Sequence, residues 1–523
     1  MSRRLLLLAA PVLLAGCDAC GADAQPAEPR TGPVEVTVDA SGEARPISPW
    51  VYGINGHEHL EHAPGVFTAV RFGGNRTTTY NWENNASNAG HDWPQNQNDG
   101  YLSESDEPGA AVVAVLDAAE REGAAAVITV PMIGRVAADK RADGDVSETP
   151  HYLERRFVRS VARCGGSGVT PDLDDDRVCQ DTFVRFVRRE AARRGVPLLF
   201  ALDNEPASWP VTHPLLRRHQ PVRYAELIET SIEYASMITE EAPDARVIGP
   251  VSFGWPAMTR LAGAPDAGDR NFLTTYLSAM RTASGRRDRR LLHALDVHWY
   301  PDVPIHDRPL AAPEDDPARA RMRMQVPRSL YDPDYEEPSW IVDDWLEEPI
   351  RLLPRLREQS RRHFRHTKLA ITEWAYGGAE HPSGAVAVAD ALGAMGRHGV
   401  LVATYWPLTD QEHPYALAAF RIYRRPADGV AFGDRSVEAR SDDRSRVSAW
   451  GSLDGERPRV MLIARTDDEV EVRLRVDGAG GEARRFELSA LAARPREIDP
   501  VTLADGRATL TLPGRSVTLL AVE

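Results

Sequence analysis

The chain has 523 residues, 42% hydrophobic and 27% charged, with four cysteines and a formal net charge of −15. That length suggests two or three domains and a core that needs no disulfide or metal staples. The acidic balance argues against a general affinity for nucleic acid or anionic membranes.

Residues 1–4 form a short basic region, and residues 5–14 an apolar run. The run is too short to span a bilayer but suits a secretory signal. It ends Leu13-Leu14-Ala15-Gly16-Cys17, which resembles a bacterial lipobox. By that resemblance residues 1–17 are a lipoprotein signal and Cys17 carries the lipid. The exported protein would then meet the cell envelope or cell surface only through its anchor. An ordinary cleaved signal with an incidental cysteine is the alternative. Residues 18–33 are small, polar and Pro-containing, and read as a flexible tether. Residues 34–49 open with the alternating Val34-Glu35-Val36-Thr37-Val38, the pattern of a half-exposed strand.

Between residues 50 and 411 eight short apolar runs recur: 51–54, 69–72, 125–130, 197–202, 246–249, 295–300, 369–372 and 402–406. Continuous apolar runs mark parallel strands buried on both faces. Amphipathic stretches at 110–121, 181–194 and 224–239 lie between them. Eight strands alternating with helices point to an α/β fold, a (β/α)8 TIM barrel. A doubly wound sheet is the weaker alternative, since no Gly-rich phosphate loop follows the first strand. Cys164 and Cys179 bracket a polar loop; in an exported chain they suggest a disulfide rather than a metal site, since no His lies nearby. Residues 412–523 change texture to short strands at 460–464, 470–476 and 516–522 joined by Gly, Asp and Pro turns. They indicate an antiparallel β-sandwich, which the strand at 34–38 is expected to join.

Barrel enzymes carry their chemistry at the C-terminal ends of the strands. The fourth strand ends Asp203-Asn204-Glu205-Pro206, and the seventh ends Thr372-Glu373-Trp374. Glycoside hydrolysis needs two carboxyl groups flanking the scissile bond, about 5 Å apart for retention and further apart for inversion. A single such glutamate is more often a solvated loop carboxylate. Two at the ends of strands four and seven reverse those odds. Arg71, at the end of the second strand, can keep Glu373 ionised or make a structural ion pair. His298 and Tyr300 share a face of the sixth strand, with a satisfied core histidine as the alternative for His298. Trp82, Trp93, Trp209, Trp374 and Trp406 lie near strand ends; some belong to the core, and Trp406 and Trp209 are the expected sugar-stacking platforms. Asn75 can bind hydroxyls or cap a turn. The cluster His57-Glu58-His59-Leu60-Glu61-His62 lacks the HExxH order, so no metal site is assigned to it.

Asn204-Glu205-Pro206 resembles the acid/base motif of the clan of retaining barrel hydrolases. The run from Arg71-Phe72-Gly73-Gly74-Asn75-Arg76 through Thr79-Tyr80-Asn81-Trp82-Glu83-Asn84-Asn85 to Asp92-Trp93 resembles the signature of glycoside hydrolase family 44. The similarity extends to Trp209, to Ser329-Leu330-Tyr331-Asp332-Pro333 with Trp340, and to Ile371-Thr372-Glu373-Trp374. The resemblance implies a barrel plus β-sandwich that cleaves β-1,4-glucan or xyloglucan, with Glu205 as acid/base and Glu373 as nucleophile. It also implies that a His and a Tyr near the sixth strand end contact the nucleophile and the sugar. It requires no cofactor; such barrels often hold a structural calcium in acidic loops. A monomer acting on a polysaccharide is expected. Residues 215–219 depart from the family pattern, which leaves open a related hydrolase acting on mannan or xylan. A non-catalytic glycan-binding lipoprotein is the reading from another class.

Overall fold

The computed structural model describes residues 32–173, 175–305, 308–309, 316–407 and 413–523. The signal at 1–17 with Cys17, most of the tether, and the expected boundary at 411/412 lie outside them. No helix among the described residues is long and apolar enough to cross a membrane.

Eight parallel strands close into a barrel in chain order: Gly53–Asn55, Ala69–Phe72, Ala125–Val130, Leu198–Leu202, Arg246–Ser252, Ala294–Trp299, Lys368–Trp374 and Val400–Tyr405. Each expected run supplies one strand, because each is apolar on both faces. The outward residues, such as Val70, Ala126, Ile128, Phe200, Leu295 and Ile371, pack with the surrounding helices. The inward ones form a separate cluster of Ala69, Ala125, Val127, Leu199, Ala201, Ile248, Ala294 and Ala370, with Trp50 against it. The helix Ala110–Glu122 shows why the amphipathic stretches sit where they do. Its buried Ala111, Val112, Val115, Leu116, Ala118 and Ala119 recur at helical spacing, and it ends at the left-handed Gly123.

The lumen changes character along the strands. Inward positions are small and apolar at the bottom. Two or four residues further on, the same alternation brings Arg71, Thr129, Asp203, Asp296, His298, Thr372 and Thr404 inward, all buried. The polar layer therefore lies at the C-terminal ends of the strands, where a barrel site forms.

In the β-domain Ala492–Leu503, Gly481–Ser489, Ser516–Val522, Arg457–Ala464, Val447–Asp454 and Arg435–Ser441 pair in that order. Arg435–Ser441 also pairs with Val34–Asp39, which leads on to Val470–Asp477 and Arg507–Leu512. Val34, Val36 and Val38 share one core with Val460, Leu462, Leu520 and Val522, which makes two layers. The N-terminal strand joins the domain as expected. However, it runs parallel to Val470–Asp477, in register Val36 to Leu474, within an otherwise antiparallel arrangement. After residue 412 the first strand of this domain is Arg435–Ser441. Before it, Pro414–Arg424 is a helix that packs both on Pro382–Arg397 and on the strands Ala492–Leu503 and Gly481–Ser489.

Cys164 and Cys179 are joined in a disulfide.

Candidate active site

Glu205 and Glu373 meet at the barrel mouth. One ligand atom from each of Glu205, His298 and Glu373 lies within 4.8 Å of the others. The two glutamates arrive there by different routes. Glu205 continues the inward alternation of Leu199, Ala201 and Asp203. It follows a sharp turn in which Asp203 and Glu205 take left-handed φ values of 63° and 44°. Such values are strained for non-glycine residues and cluster at functional sites. Asp203 braces the turn: Thr78 Oγ1 donates to its Oδ1 at 2.6 Å and the Asn204 amide at 2.7 Å, while the Met132 amide donates to Oδ2. Glu373 has the opposite parity to Ala370 and Thr372. A register shift between Ile371 and Trp374 against the eighth strand accompanies its inward turn.

The two carboxyl groups have different surroundings. Arg71 Nη1 donates to Glu373 Oε1 at 2.8 Å, and Tyr300 Oη donates to Glu373 Oε2 at 3.0 Å. Arg71 is buried and held on its other sides, with Nη1 also on Asn55 Oδ1 at 2.9 Å and Nη2 on Asn204 Oδ1 at 2.7 Å. Glu205 has no guanidinium in contact. Its Oε1 lies 2.6 Å from His298 Nδ1. Burial pushes Glu205 up to about 7, against the pull of Arg71. Burial pushes His298 down to about 3, so the ring is neutral at working pH. Glu373 thus accepts from two donors, and its neighbour Glu205 is poised to keep a proton.

Asn204, Arg71, His298 and Tyr300 thus lie together around the two glutamates. Asn75 is half-buried beside them; its Oδ1 accepts from Asn204 Nδ2 at 3.3 Å, and its Nδ2 donates to Asp92 at 3.2 Å. The tryptophans need correction. Trp82 is fully buried against Phe183 and Phe186, with ring centroids 5.7 and 5.4 Å away. Trp374 is fully buried against Tyr405 and Phe420, because the inward turn of Glu373 sends the next side chain outward. Trp209 is buried beneath the Arg217 guanidinium. None of these three offers a free ring face. Trp406 is half-buried and lies over Gly74, where a Cβ would come within 2.8 Å of its ring and φ is +90°. Glycine there leaves the room that the ring occupies. Trp93 is exposed.

Asn55, Asp296 and Thr372 belong to the site and carried no role in the sequence reading. Asn55 Nδ2 donates to the carbonyls of Thr372 and Thr404, both at 3.0 Å. Asp296 offered a signal: an acidic residue inside the apolar run Leu295-Asp296-Val297 is expensive to bury without partners. Among the described residues, side chains that can ligate metal also converge at Cys164, Cys179 and Asp181, where the sulfurs are spent in the disulfide. Neither convergence offers the all-oxygen set that calcium prefers.

A closed parallel barrel with two glutamates facing each other across its mouth is the architecture of the barrel glycoside hydrolases. Residues 86–303 match the model of glycoside hydrolase family 44. The chain is 35% identical over 472 residues to endoglucanase A of Paenibacillus lautus, covering 85% of this chain and 66% of the relative. It is 33% identical over 477 residues to β-mannanase/endoglucanase A of Caldicellulosiruptor saccharolyticus, covering 85% of this chain and 35% of the relative. The chain thus spans just under two thirds of the first relative's length and about a third of the second's. The structure of a family 44 xyloglucanase of Paenibacillus polymyxa with xyloglucan superposes with a TM-score of 0.87 at 32% identity, over 94% of this chain and 100% of that one. The chain belongs to glycoside hydrolase family 44.

Proposed function

We propose that the protein is an endo-acting glycosidase that cleaves the β-1,4-glucan backbone of cellulose-type glucan or xyloglucan with retention, by double displacement. The observation that carries this reading is the close approach of two carboxyl groups in unlike environments. An approach within 4.8 Å suits a retaining pair and leaves little room for the water that an inverting pair needs between its carboxyls. In the first step Glu205 gives its proton to the glycosidic oxygen while a Glu373 oxygen attacks the anomeric carbon. The bond to the leaving glucan breaks, and a glycosyl ester forms on Glu373. Arg71 and Tyr300 hold that oxygen pair in place and Trp406 offers a face for the sugar ring. In the second step Glu205, now a carboxylate, takes a proton from water as the water attacks the same carbon and Glu373 leaves.

The substrate class follows from family membership together with the endoglucanase and xyloglucanase names of the relatives. The lipobox-like segment adds export and a lipid anchor at Cys17 to the proposal. Mass spectrometry of the mature N-terminal peptide, with Cys17→Ser as control, tests the anchor.

The enzymatic reading is tested on xyloglucan, carboxymethyl-cellulose, mannan and xylan, with product lengths and anomeric configuration read by NMR. Retained configuration and internal cleavage of a β-1,4-glucan are expected. Inverted products would overturn the double displacement, and release from none of them would favour a glycan-binding protein. Glu205→Gln should lose activity on unactivated polysaccharide yet still be glycosylated by substrates with good leaving groups. Glu373→Gln should lose both, and normal turnover by it would overturn the assignment.

A further inference from the structure

We propose that Asp296 and Thr372 are positioning residues that lock His298 with its proton on Nε2, so that Nδ1 accepts the proton of Glu205. This deepens the reading of Glu205 as the acid and rests on it. Four contacts link Asp296 to Glu205. The Thr372 backbone amide donates to Asp296 Oδ1 at 3.2 Å, and the Thr372 hydroxyl donates to Asp296 Oδ2 at 2.8 Å. A threonine hydroxyl has one proton, and an ionised carboxylate accepts it more strongly than an imidazole nitrogen does. With that proton spent on Asp296, Thr372 Oγ1 meets His298 Nε2, 3.2 Å away, as an acceptor. Nε2 must then carry the ring's proton. A neutral imidazole has only one, so Nδ1 presents a lone pair to Glu205 Oε1 at 2.6 Å. A nitrogen lone pair and a carboxyl oxygen cannot share that contact without a proton between them, and the proton is the one on Glu205.

The chain of bonds also breaks a tie. Burial pushes both Asp296 and Glu205 up to about 7, and burial alone does not decide which keeps a proton. Asp296 receives two donors from Thr372, which favours its ionised form; Glu205 has one donor, Ser208, and faces an acceptor in His298 Nδ1, which favours its neutral form. The other charged or titratable groups facing this chain are Arg71, Glu373, Asp92 and Tyr300, and none changes in the variants below.

Thr372→Val keeps the shape and removes the hydroxyl. Freed from its acceptor, His298 can place its proton on Nδ1 and donate to an ionised Glu205. Glu205 then loses its proton at lower pH. The alkaline limb of kcat/KM on a soluble β-glucan should move down by about half to one pH unit. Thr372→Ser restores the hydroxyl and should restore the wild-type limb. A Thr372→Val limb that matches wild type, or a Thr372→Ser profile that matches Thr372→Val, overturns the proposal. If Thr372→Val does not fold, Asp296→Asn is the second variant. Its amide donates to Thr372 Oγ1, turns the hydroxyl onto Nε2, and should give the same downward shift; an unshifted limb there also overturns the lock. Failure of the underlying reading looks different. It appears as wild-type activity in Glu205→Gln, whereas an inactive Glu205→Gln beside an unshifted Thr372→Val overturns the lock alone.

Discussion

Glu373 accepts one hydrogen bond on each oxygen, from Arg71 and from Tyr300. The phenol is suited to this task because burial raises it well above its ordinary range, so it stays a neutral donor. A hydrogen bond to a charged group contributes about 1.5–3 kcal/mol, which is about 10- to 150-fold in rate when it is felt at the transition state. Tyr300→Phe should therefore lower kcat/KM on β-glucan by about tenfold or more, with thermal unfolding close to wild type. Wild-type kinetics in that variant would show that Arg71 alone suffices to hold the carboxylate. The pair of glutamates was legible in the sequence because each follows an apolar run directly. That Arg71 meets Glu373 is set by the lumen: the two stand 302 positions apart and come together because both turn inward on one ring of strands.

At the scale of elements, alternation along a strand separates core from site. Trp82 and Trp374 both follow segments that carry site residues, and the sequence left each between the core and the substrate. Their positions send them outward into the packing between strands and helices. Replacing a buried tryptophan by alanine costs about 3–5 kcal/mol. Trp82→Ala should lower the midpoint of chemical denaturation markedly and leave KM near wild type at a temperature where the variant is folded. An unchanged midpoint with a raised KM would return Trp82 to the substrate. Position in a sequence cannot separate these outcomes near a strand end, because one register shift, such as that between Ile371 and Trp374, exchanges the faces.

Across the whole molecule, the barrel and the β-domain are joined around Asp390 on the helix Pro382–Arg397. Its carboxylate accepts from Ser448 Oγ at 2.6 Å, Trp450 Nε1 at 3.0 Å and Tyr331 Oη at 3.2 Å, and it pairs with Arg465. Asp390 and Arg465 are both fully buried. Breaking a buried pair by removing one partner costs about 3–5 kcal/mol, because the other charge is left unpaired. Asp390→Ala should unfold at distinctly lower denaturant than wild type. A wild-type midpoint would show that this seam contributes little. The β-strands meeting the seam are apolar on both faces for this reason: in Arg457–Ala464, Met461 and Ile463 pack with the barrel's core, while Val460 and Leu462 face the sandwich core. Val470–Asp477 has one face in solvent and alternates strictly.

The eight strands, the β-domain and the pair of strand-end glutamates were legible in local pattern alone, since a strand buried on two faces must be apolar throughout and its end is where a barrel exposes polar groups. The long family signature was equally local. What only the tertiary structure decided is everything that depends on direction around a closed ring. That includes the approach of Glu205 to Glu373, the donors on each, the outward facing of three tryptophans, and the chain from Asp296 through Thr372 and His298. Those relations join residues from different strands, and their distances are set by closure, register and bulges that no single stretch of sequence contains.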